Sequence, residues 1–278
     1  MKLRARDHVV DLSTPQVMGI LNVTPDSFSD GGLYLDTERA VQHANEMIED
    51  GATFIDVGGE STRPGADEVP EDEELHRVLP VIEQLAGRDE VLISIDTRKH
   101  RVARAAIEAG ATIINDTSGE DFDDRMGEVA AELGAGIIVM HSRGTPSTMT
   151  SMTDYGDLVG DVVSFLSSRA QQLQETGVPG ESIALDPGFG FAKTPEQNLT
   201  LLNRLDRVVE VGYPVVAGTS RKSFIGRVLD LPETDRIEGT AATVVIALDR
   251  GAHILRVHDV KQMSRVVTMT RAVLSARD

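Results

Sequence analysis

The stretch VLISIDTRKHRVARAAIEAGATIINDTS, residues 91–118, contains the unit from which the chain is built. Two short runs of Val, Ile and Leu flank a segment with helical spacing that ends in Gly110, a residue type expected just past a helix. Each run ends in a polar residue, Asp96 in the first and Asn115 in the second. Apolar strands joined through a helix predict a parallel sheet that is covered on both faces.

This unit recurs along the whole sequence. No linker or change of composition separates the copies, so we predict one (β/α)8 TIM barrel over residues 1–278, an α/β fold with its active site at the C-terminal ends of the strands. A doubly wound open sheet is the alternative, because the number of strands does not establish closure. The eight predicted strands are 17–23, 53–59, 91–97, 112–118, 136–142, 182–188, 213–219 and 253–259.

Most of the predicted strands are apolar until their last positions and then carry a residue that can bind or react. The carboxyl ends of barrel strands meet at one mouth, where active sites form. A single polar residue there is more often a helix cap, but capping is a poor explanation for a set drawn from all eight strands. We therefore predict a ligand-binding mouth formed by Asn22, Asp56, Asp96, Asn115, His141, Asp186, Ser220, Arg256 and His258.

The composition excludes several classes of function. A formal net charge of −18 over 278 residues argues against nucleic-acid binding, which needs a basic surface. The sequence has no cysteine, which excludes disulfides, thiolate nucleophiles and Cys-ligated metals. It also has no apolar run of about 18 residues and no pattern typical of a signal peptide. We expect a soluble, cytoplasmic protein that does not bind membranes.

Eight blocks of the sequence resemble the dihydropteroate synthase family, in the same order along the chain. The resemblance implies a transferase of folate biosynthesis that condenses 6-hydroxymethyl-7,8-dihydropterin pyrophosphate with p-aminobenzoate. It also implies assistance by Mg²⁺, competition by sulfonamides and a homodimer. The blocks are GILNVTPDSFSDGG (19–32), IDVGGESTRPGA (55–66), SIDT (94–97), IINDTSG (113–119), VMHSRGTP (139–146), LDPGFGFAKT (185–194), AGTSRKSFIG (217–226) and LRVHDV (255–260).

The resemblance implies that four residues within these blocks bind the pterin ring. A carboxylate such as Asp186 suits the adjacent N–H donors of the pterin edge, and Asn115 offers both a donor and an acceptor. Asp96 accepts from the ring or amino groups, and Lys222 donates to the carbonyl or a ring nitrogen. The resemblance also implies catalytic roles for Arg63, Asp96 and Lys222.

Pyrophosphate needs dispersed positive charge and hydrogen-bond donors. Arg256 and His258 alternate along the last predicted strand, so they point to the same face and can meet one anion. Arginine forks match phosphate oxygens. The resemblance adds Thr62 and Arg63 to this group, and it makes Asn22 the single protein ligand of Mg²⁺, which keeps several waters.

The resemblance implies that p-aminobenzoate lies against Phe191 and Pro64, with Thr62, Phe28 and Ser220 nearby. Ser220 precedes a predicted helix start, where free N–H groups favour a carboxylate, although capping of that helix is an alternative role. The segment TPDSFSDGG (24–32) is too long for a turn and is expected to order over substrate. Phe28 should then matter more to turnover than to stability.

Three other functions fit the barrel less well. A pterin-dependent methyltransferase has no pyrophosphate to hold, which the arginines argue against. A catalytically silent pterin-binding paralogue should have lost loop residues that are present here. A sugar-phosphate enzyme fits the Asp, Asn and Lys residues of the mouth poorly.

The charge balance indicates adaptation to salt. Acidic residues outnumber basic ones by 45 to 27, and an acid-rich, lysine-poor surface keeps a protein soluble in strong salt. A GC-rich genome, which favours arginine codons, is the alternative explanation. Five lysines occur: Lys2, Lys99, Lys193, Lys222 and Lys261.

If the surface is adapted to salt, the free energy of unfolding should rise from low to molar KCl, because screening removes the repulsion among carboxylates. Urea denaturation at the two salt concentrations measures this change. A free energy of unfolding that stays constant or falls would contradict the hypothesis.

Overall fold

The computed structural model describes residues 1–24, 32–61, 63, 65–88 and 90–276, without the side chains of residues 32–36. A hairpin of β1 (Lys2–Ala5) and β2 (His8–Asp11) precedes eight parallel strands. All eight predicted strands are present, although the one predicted over 213–219 is reduced to two residues. Their bounds are β3 (Gln16–Asn22), β4 (Phe54–Gly58), β5 (Leu92–Asp96), β6 (Ile113–Asp116), β7 (Gly136–Met140), β8 (Ile183–Asp186), β9 (Val216–Ala217) and β10 (Ile254–Val257).

The parallel strands form a nearly closed barrel. Hydrogen bonds join them in the order β8-β7-β6-β5-β4-β3-β10-β9. A single bridge between Leu185 of β8 and Val215 joins the two ends of this series, and the Leu185 N–H donates to the Pro214 carbonyl at 2.8 Å. The prediction of a barrel is confirmed, and the open sheet is wrong.

Helices connect the strands and cover the outside of the barrel, as the helical spacing predicts. Local signals fix several of their ends: Asp123 caps one helix, and Thr194 and Gln197 form a capping box on another. Among the described residues, no helix has the length and apolar character that crossing a membrane requires. The helices are α1 (Gly32–Glu49), α2 (Glu71–Leu85), α3 (His100–Glu108), α4 (Asp124–Leu133), α5 (Leu158–Glu175), α6 (Pro195–Asn203), α7 (Asp206–Val209), α8 (Ser223–Leu229), α9 (Ile237–Asp249) and α10 (Val260–Ser275).

The amino-terminal hairpin closes the end of the barrel where the strands begin. Its residues Leu3 and Ala5, with Leu12, are buried in one apolar cluster with an inward-facing residue from each barrel strand. The hairpin is absent from our prediction, because strands of four residues are too short to give a periodic pattern. The barrel residues of this cluster are Met18, Phe54, Leu92, Ile113, Ile138, Ala184, Val216 and Ile254.

Inside the barrel, the apolar layer is followed directly by a polar layer one pair of residues further along the strands. Residues two positions further along a strand point to the same face, and in five strands that next position is polar. All five side chains are enclosed by the barrel above the apolar cluster, which puts the site at the carboxyl ends of the strands. They are Asp56, Ser94, Asn115, Asp186 and Arg256.

Candidate active site

Arg256 occupies the middle of the polar interior between two carboxylates. Its Nε donates to Asp56 Oδ2 at 2.6 Å, and its Nη2 donates to Asp96 Oδ2 at 2.6 Å. Asp56 is fully buried and Asp96 is nearly so. Removing charges from water is costly unless they are paired and hydrogen-bonded, so the three side chains form one unit.

Two neighbours extend this unit across the barrel. Asn115 donates from Nδ2 to Asp56 Oδ2 at 2.9 Å, and the Thr117 hydroxyl donates to Asp96 Oδ1 at 3.2 Å. Asp56 therefore positions both Asn115 and Arg256. Asp56 is predicted at a strand end without a role, because its importance depends on contacts between distant strands.

The buried charges change each other's protonation. Burial raises the pKa of Asp96 to about 7, against the opposing influence of Arg256. Burial alone would lower the pKa of Arg256, but Asp56 and Asp96 outweigh it, and this pKa lies above its usual range. Arg256 is thus a permanent cation, whereas Asp96 gains or loses its proton near neutral pH.

Asp186 and Lys222 lie on another side of the same cavity. Asp186 Oδ1 accepts a hydrogen bond from the Gly188 N–H at 2.7 Å, which fixes the carboxylate at the end of β8. Burial raises the pKa of Asp186, and the bond from Gly188 opposes that change. Burial lowers the pKa of Lys222 to about 8, helped by the charge of Arg256.

Phe191 reaches the cavity beside Lys222. The Lys222 Nζ lies 4.2 Å from the centre of the Phe191 ring, within the range of a cation–π contact. This contact brings together a residue predicted for the pterin and one predicted for p-aminobenzoate. The two predicted binding regions therefore adjoin each other.

Ser220 and His258 contact each other rather than standing alone. The Ser220 Oγ lies 3.0 Å from His258 Nδ1 and accepts the His258 backbone N–H at 3.2 Å. Burial, with the nearby charge of Arg256, lowers the pKa of His258 to about 3. His258 is neutral at pH 7 and can supply a hydrogen-bond donor but no charge. Ser220 does not cap α8, since Lys222 occupies the position before that helix.

The remaining predicted residues lie at the rim or outside the described residues. Arg63 is largely exposed and donates to Glu233 Oε1 at 2.7 Å. Its charge nevertheless helps to lower the pKa of Lys222, so it lies within electrostatic range of the cavity. Phe28, Thr62 and Pro64 lie outside the described residues.

Asn22 ends β3 next to Gly58, a residue without a side chain. A Cβ atom placed on Gly58 would lie 3.5 Å from the Asp96 Cβ and 3.8 Å from the Asn22 Oδ1. Glycine therefore leaves room between these side chains, and an amide oxygen suits Mg²⁺. Among the described residues, no group of three or more carboxylate or imidazole side chains is arranged to hold a metal.

His141 does not face the mouth, which corrects its place in the predicted set. Met140 pairs with the inward-facing Asp186, so the next residue of the chain points outward. The His141 ring packs edge-on against Phe165 of α5 at 5.1 Å. It is buried between the barrel and α5 rather than exposed at the mouth.

Comparison with known proteins identifies the family. The sequence profile for "Pterin binding enzyme" matches residues 18–258. Dihydropteroate synthase of Bacillus subtilis is 52% identical over 259 residues, which cover 93% of this chain and 88% of that protein. The chain belongs to the dihydropteroate synthase family.

Solved structures agree with this assignment. The Yersinia pestis dihydropteroate synthase, solved with a sulfonamide drug, superposes with a TM-score of 0.93 at 45% identity, covering 99% of this chain and 100% of that one. The Xanthomonas albilineans dihydropteroate synthase, solved with 4-aminobenzoic acid, gives 0.91 at 40% identity and covers 100% of both chains. As a dihydropteroate synthase, the chain is a transferase.

The outward-facing His141 generates a prediction about acid stability. Burial, followed by the charges of Lys193 and Arg143, lowers its pKa to about 2. Below pH 6.5 the unfolded chain therefore binds a proton that the folded protein does not. Between pH 7 and pH 5 this residue should remove about 2 kcal/mol from the free energy of unfolding.

Urea denaturation of the wild type and His141→Gln at the two pH values measures this change. Glutamine can still accept from Lys193 but does not titrate, so the wild type should lose more stability than the variant. His43→Gln, at an exposed position of α1, is the matched control. Equal losses in the wild type and His141→Gln would show that the assignment is wrong.

Proposed function

We infer that the chain is a dihydropteroate synthase that joins 6-hydroxymethyl-7,8-dihydropterin pyrophosphate to p-aminobenzoate, giving 7,8-dihydropteroate and pyrophosphate. One observation carries this conclusion: the four predicted pterin residues surround one buried arginine. Asp96 bonds Arg256 directly, and Asn115 shares Asp56 with it. The charges of Asp186 and Lys222 also act on the other members of the group. The four are Asp96, Asn115, Asp186 and Lys222.

We propose that the pterin lies among these four groups. Asp186 is held by Gly188 and keeps Oδ2 for the N–H donors of the pterin edge. Asn115 is oriented by donating to Asp56, which leaves its amide oxygen as an acceptor. Lys222 supplies a donor for the ring carbonyl or a ring nitrogen.

For pyrophosphate, the proposed groups are Arg256, His258 and Arg63. Arg256 uses Nε and Nη2 for the two carboxylates, and its Nη1 has no hydrogen-bond partner among the described residues. A phosphate oxygen can accept from this atom without breaking the buried ion pairs. Neutral His258 can add a donor, and Arg63 must exchange Glu233 for the anion. Thr62 remains a prediction in this group.

For p-aminobenzoate, the described candidates are Phe191 and Ser220. The Phe191 ring offers an apolar face, and the Ser220 hydroxyl offers a hydrogen bond to the carboxylate. Phe28, Thr62 and Pro64 remain predictions from the resemblance.

We propose that Mg²⁺ binds at Asn22 through the side-chain oxygen. The oxygen chemistry of the amide fits a cation that takes few protein ligands, and Gly58 has no side chain to crowd the Asn22 oxygen. When bound, the ion would neutralise charge on the departing pyrophosphate.

The proposed reaction uses no nucleophile from the protein. The amine nitrogen forms a bond to the pterin methylene carbon, the bond from that carbon to the pyrophosphate oxygen breaks with its electron pair, and the nitrogen loses a proton to water. Because an aniline is a weak nucleophile, the breaking bond leads and positive charge develops on the methylene. Asp96 and Asp186 stabilise that charge, and Arg256 stabilises the leaving group. The barrel walls exclude water from the reacting carbon.

An assay tests this function directly. The purified chain with both substrates and Mg²⁺ should release pyrophosphate and form dihydropteroate, and release should depend on the amine. Arg256→Lys keeps a cation beside Asp56 and Asp96 but removes the fork, so kcat/KM should fall about 100-fold with little change in Tm.

Lysine is preferred to alanine at this position, because alanine would leave two buried carboxylates without their cation. Arg250→Lys, at a surface arginine bonded to Asn203, is the matched control and should keep full activity. Pyrophosphate release without the amine would contradict the function. Full activity of Arg256→Lys would contradict the role of the arginine.

We further propose a homodimer formed through the exposed apolar side chains of α8, α9 and α10. Surface apolar groups clustered on neighbouring helices favour association. Sedimentation of the full chain should give twice the monomer mass, and a monomer at micromolar concentration would contradict the proposal. The acidic, salt-adapted surface and the cytoplasmic location stay predictions. The apolar residues are Val228, Leu229, Val245, Ile246, Met269 and Val273.

A further inference from the structure

Lys193 is a buried lysine whose ammonium group is enclosed by its own loop. The residue is 8% exposed. Its Nζ donates to the carbonyl oxygens of Gly188 at 2.9 Å and Phe191 at 3.0 Å, and it lies 3.1 Å from Nδ1 of His141. The His141 carbonyl lies further away, at 3.4 Å. Three close acceptors use the three protons of the ammonium group, so Lys193 has no free donor for a substrate.

The loop that Lys193 holds, residues 188–193, has an unusual backbone. Gly188, Gly190 and Ala192 all have positive φ, at 71°, 83° and 46°. Alanine adopts this left-handed conformation at a cost that the surroundings must offset. A Cβ on Gly188 would overlap the carbonyl oxygen of His141, so the loop is pressed against the end of β7.

Other side chains hold the same loop from outside. The Tyr155 hydroxyl donates to the carbonyl oxygen of Ala192 at 3.0 Å, and the Asn198 Oδ1 accepts the Gly190 N–H at 2.6 Å. Side chains therefore hold successive turns of the 188–193 loop, in addition to the backbone bond from the Phe191 N–H to the Gly188 carbonyl. Lys193 adds two contacts from inside the loop, to the carbonyls of Gly188 and Phe191.

The 188–193 loop carries Phe191, whose side chain contacts Lys222. The Phe191 ring lies 4.2 Å from the Lys222 Nζ, and the carbonyl of the same Phe191 accepts from Lys193. A change at Lys193 thus acts on the position of the Phe191 ring through the backbone carbonyl of Phe191 itself. Asp186 is tied to the loop only through the Gly188 N–H, and its backbone is held in β8, so its carboxylate should move less than the Phe191 ring.

We propose that Lys193 is a positioning residue for the p-aminobenzoate side of the reaction. By binding the carbonyls of Gly188 and Phe191, it fixes the 188–193 loop and thereby sets the Phe191 ring against Lys222. It touches no substrate itself. The proposal rests on the proposed function through the assignment of Phe191 to p-aminobenzoate.

Steady-state kinetics of Lys193→Met test the proposal, since methionine keeps the length of the side chain but cannot donate. The KM for p-aminobenzoate should rise at least about tenfold, whereas the KM for the pterin pyrophosphate should change less than about threefold. A merely structural role would lower the amount of folded enzyme and move neither KM.

Hydrogen exchange gives a readout that does not depend on activity. In Lys193→Met, amides of residues 187–194 should exchange faster than in the wild type. Lys261→Met is the matched control, because Lys261 is an exposed lysine on α10 whose partner is Asp50. It should leave both KM values and the exchange unchanged.

Tyr155→Phe keeps the proposal testable if Lys193→Met fails to fold. It removes one hydroxyl contact with the same loop and should raise the same KM by a smaller factor. Unchanged KM values in the folded variants, or an equal rise in both, would overturn the proposal. A wild type that does not condense the two substrates would instead overturn the proposed function, and the exchange measurement would still report whether Lys193 fixes the loop.

Discussion

The active-site arrangement depends on one buried cation held by two buried carboxylates. Arg256 reaches across the barrel from β10 to Asp56 on β4 and Asp96 on β5, so three strands are tied through their side chains. A guanidinium is suited to this because it stays charged and presents its donors in a fixed plane. Removing the charge of one member would leave the others buried and uncompensated. The groups proposed to bind substrate are thus positioned by two ion pairs that form without any ligand.

The polar interior is possible because the other end of the barrel is closed by apolar side chains. Leu3 of the hairpin seals a cluster to which every barrel strand contributes a residue. Water is therefore excluded at the end where the strands begin, and the charged side chains face the opening at the carboxyl ends of the strands. Exclusion of water strengthens electrostatic interactions, and the same condition protects a cation-like methylene from hydrolysis. The apolar cluster therefore provides the water-poor environment in which the charged side chains act.

Most of the barrel and much of the site could be predicted from the sequence. Apolar runs that end in polar residues gave the strands and placed Asp96, Asn115 and Asp186 correctly, because strand ends converge in any barrel. His141 was misplaced because its direction depends on the register of β7 against β8, which no local pattern reveals. Lys193 could not be told from a surface lysine, since its acceptors are carbonyls that only the folded loop brings together. The protonation states of the site residues could not be predicted from the sequence either, because they depend on how deeply each group is buried.

The barrel is joined least extensively between β8 and the segment that leads into β9. Neighbouring strands elsewhere share ladders, but β8 and the segment before β9 share one bridge. Asp186 ends β8, and Ser220 follows β9. Widening the mouth at this point disrupts a single bridge rather than a ladder. A change in the spacing between β8 and β9 would therefore break fewer backbone contacts than the same change between β7 and β8, which share four paired residues.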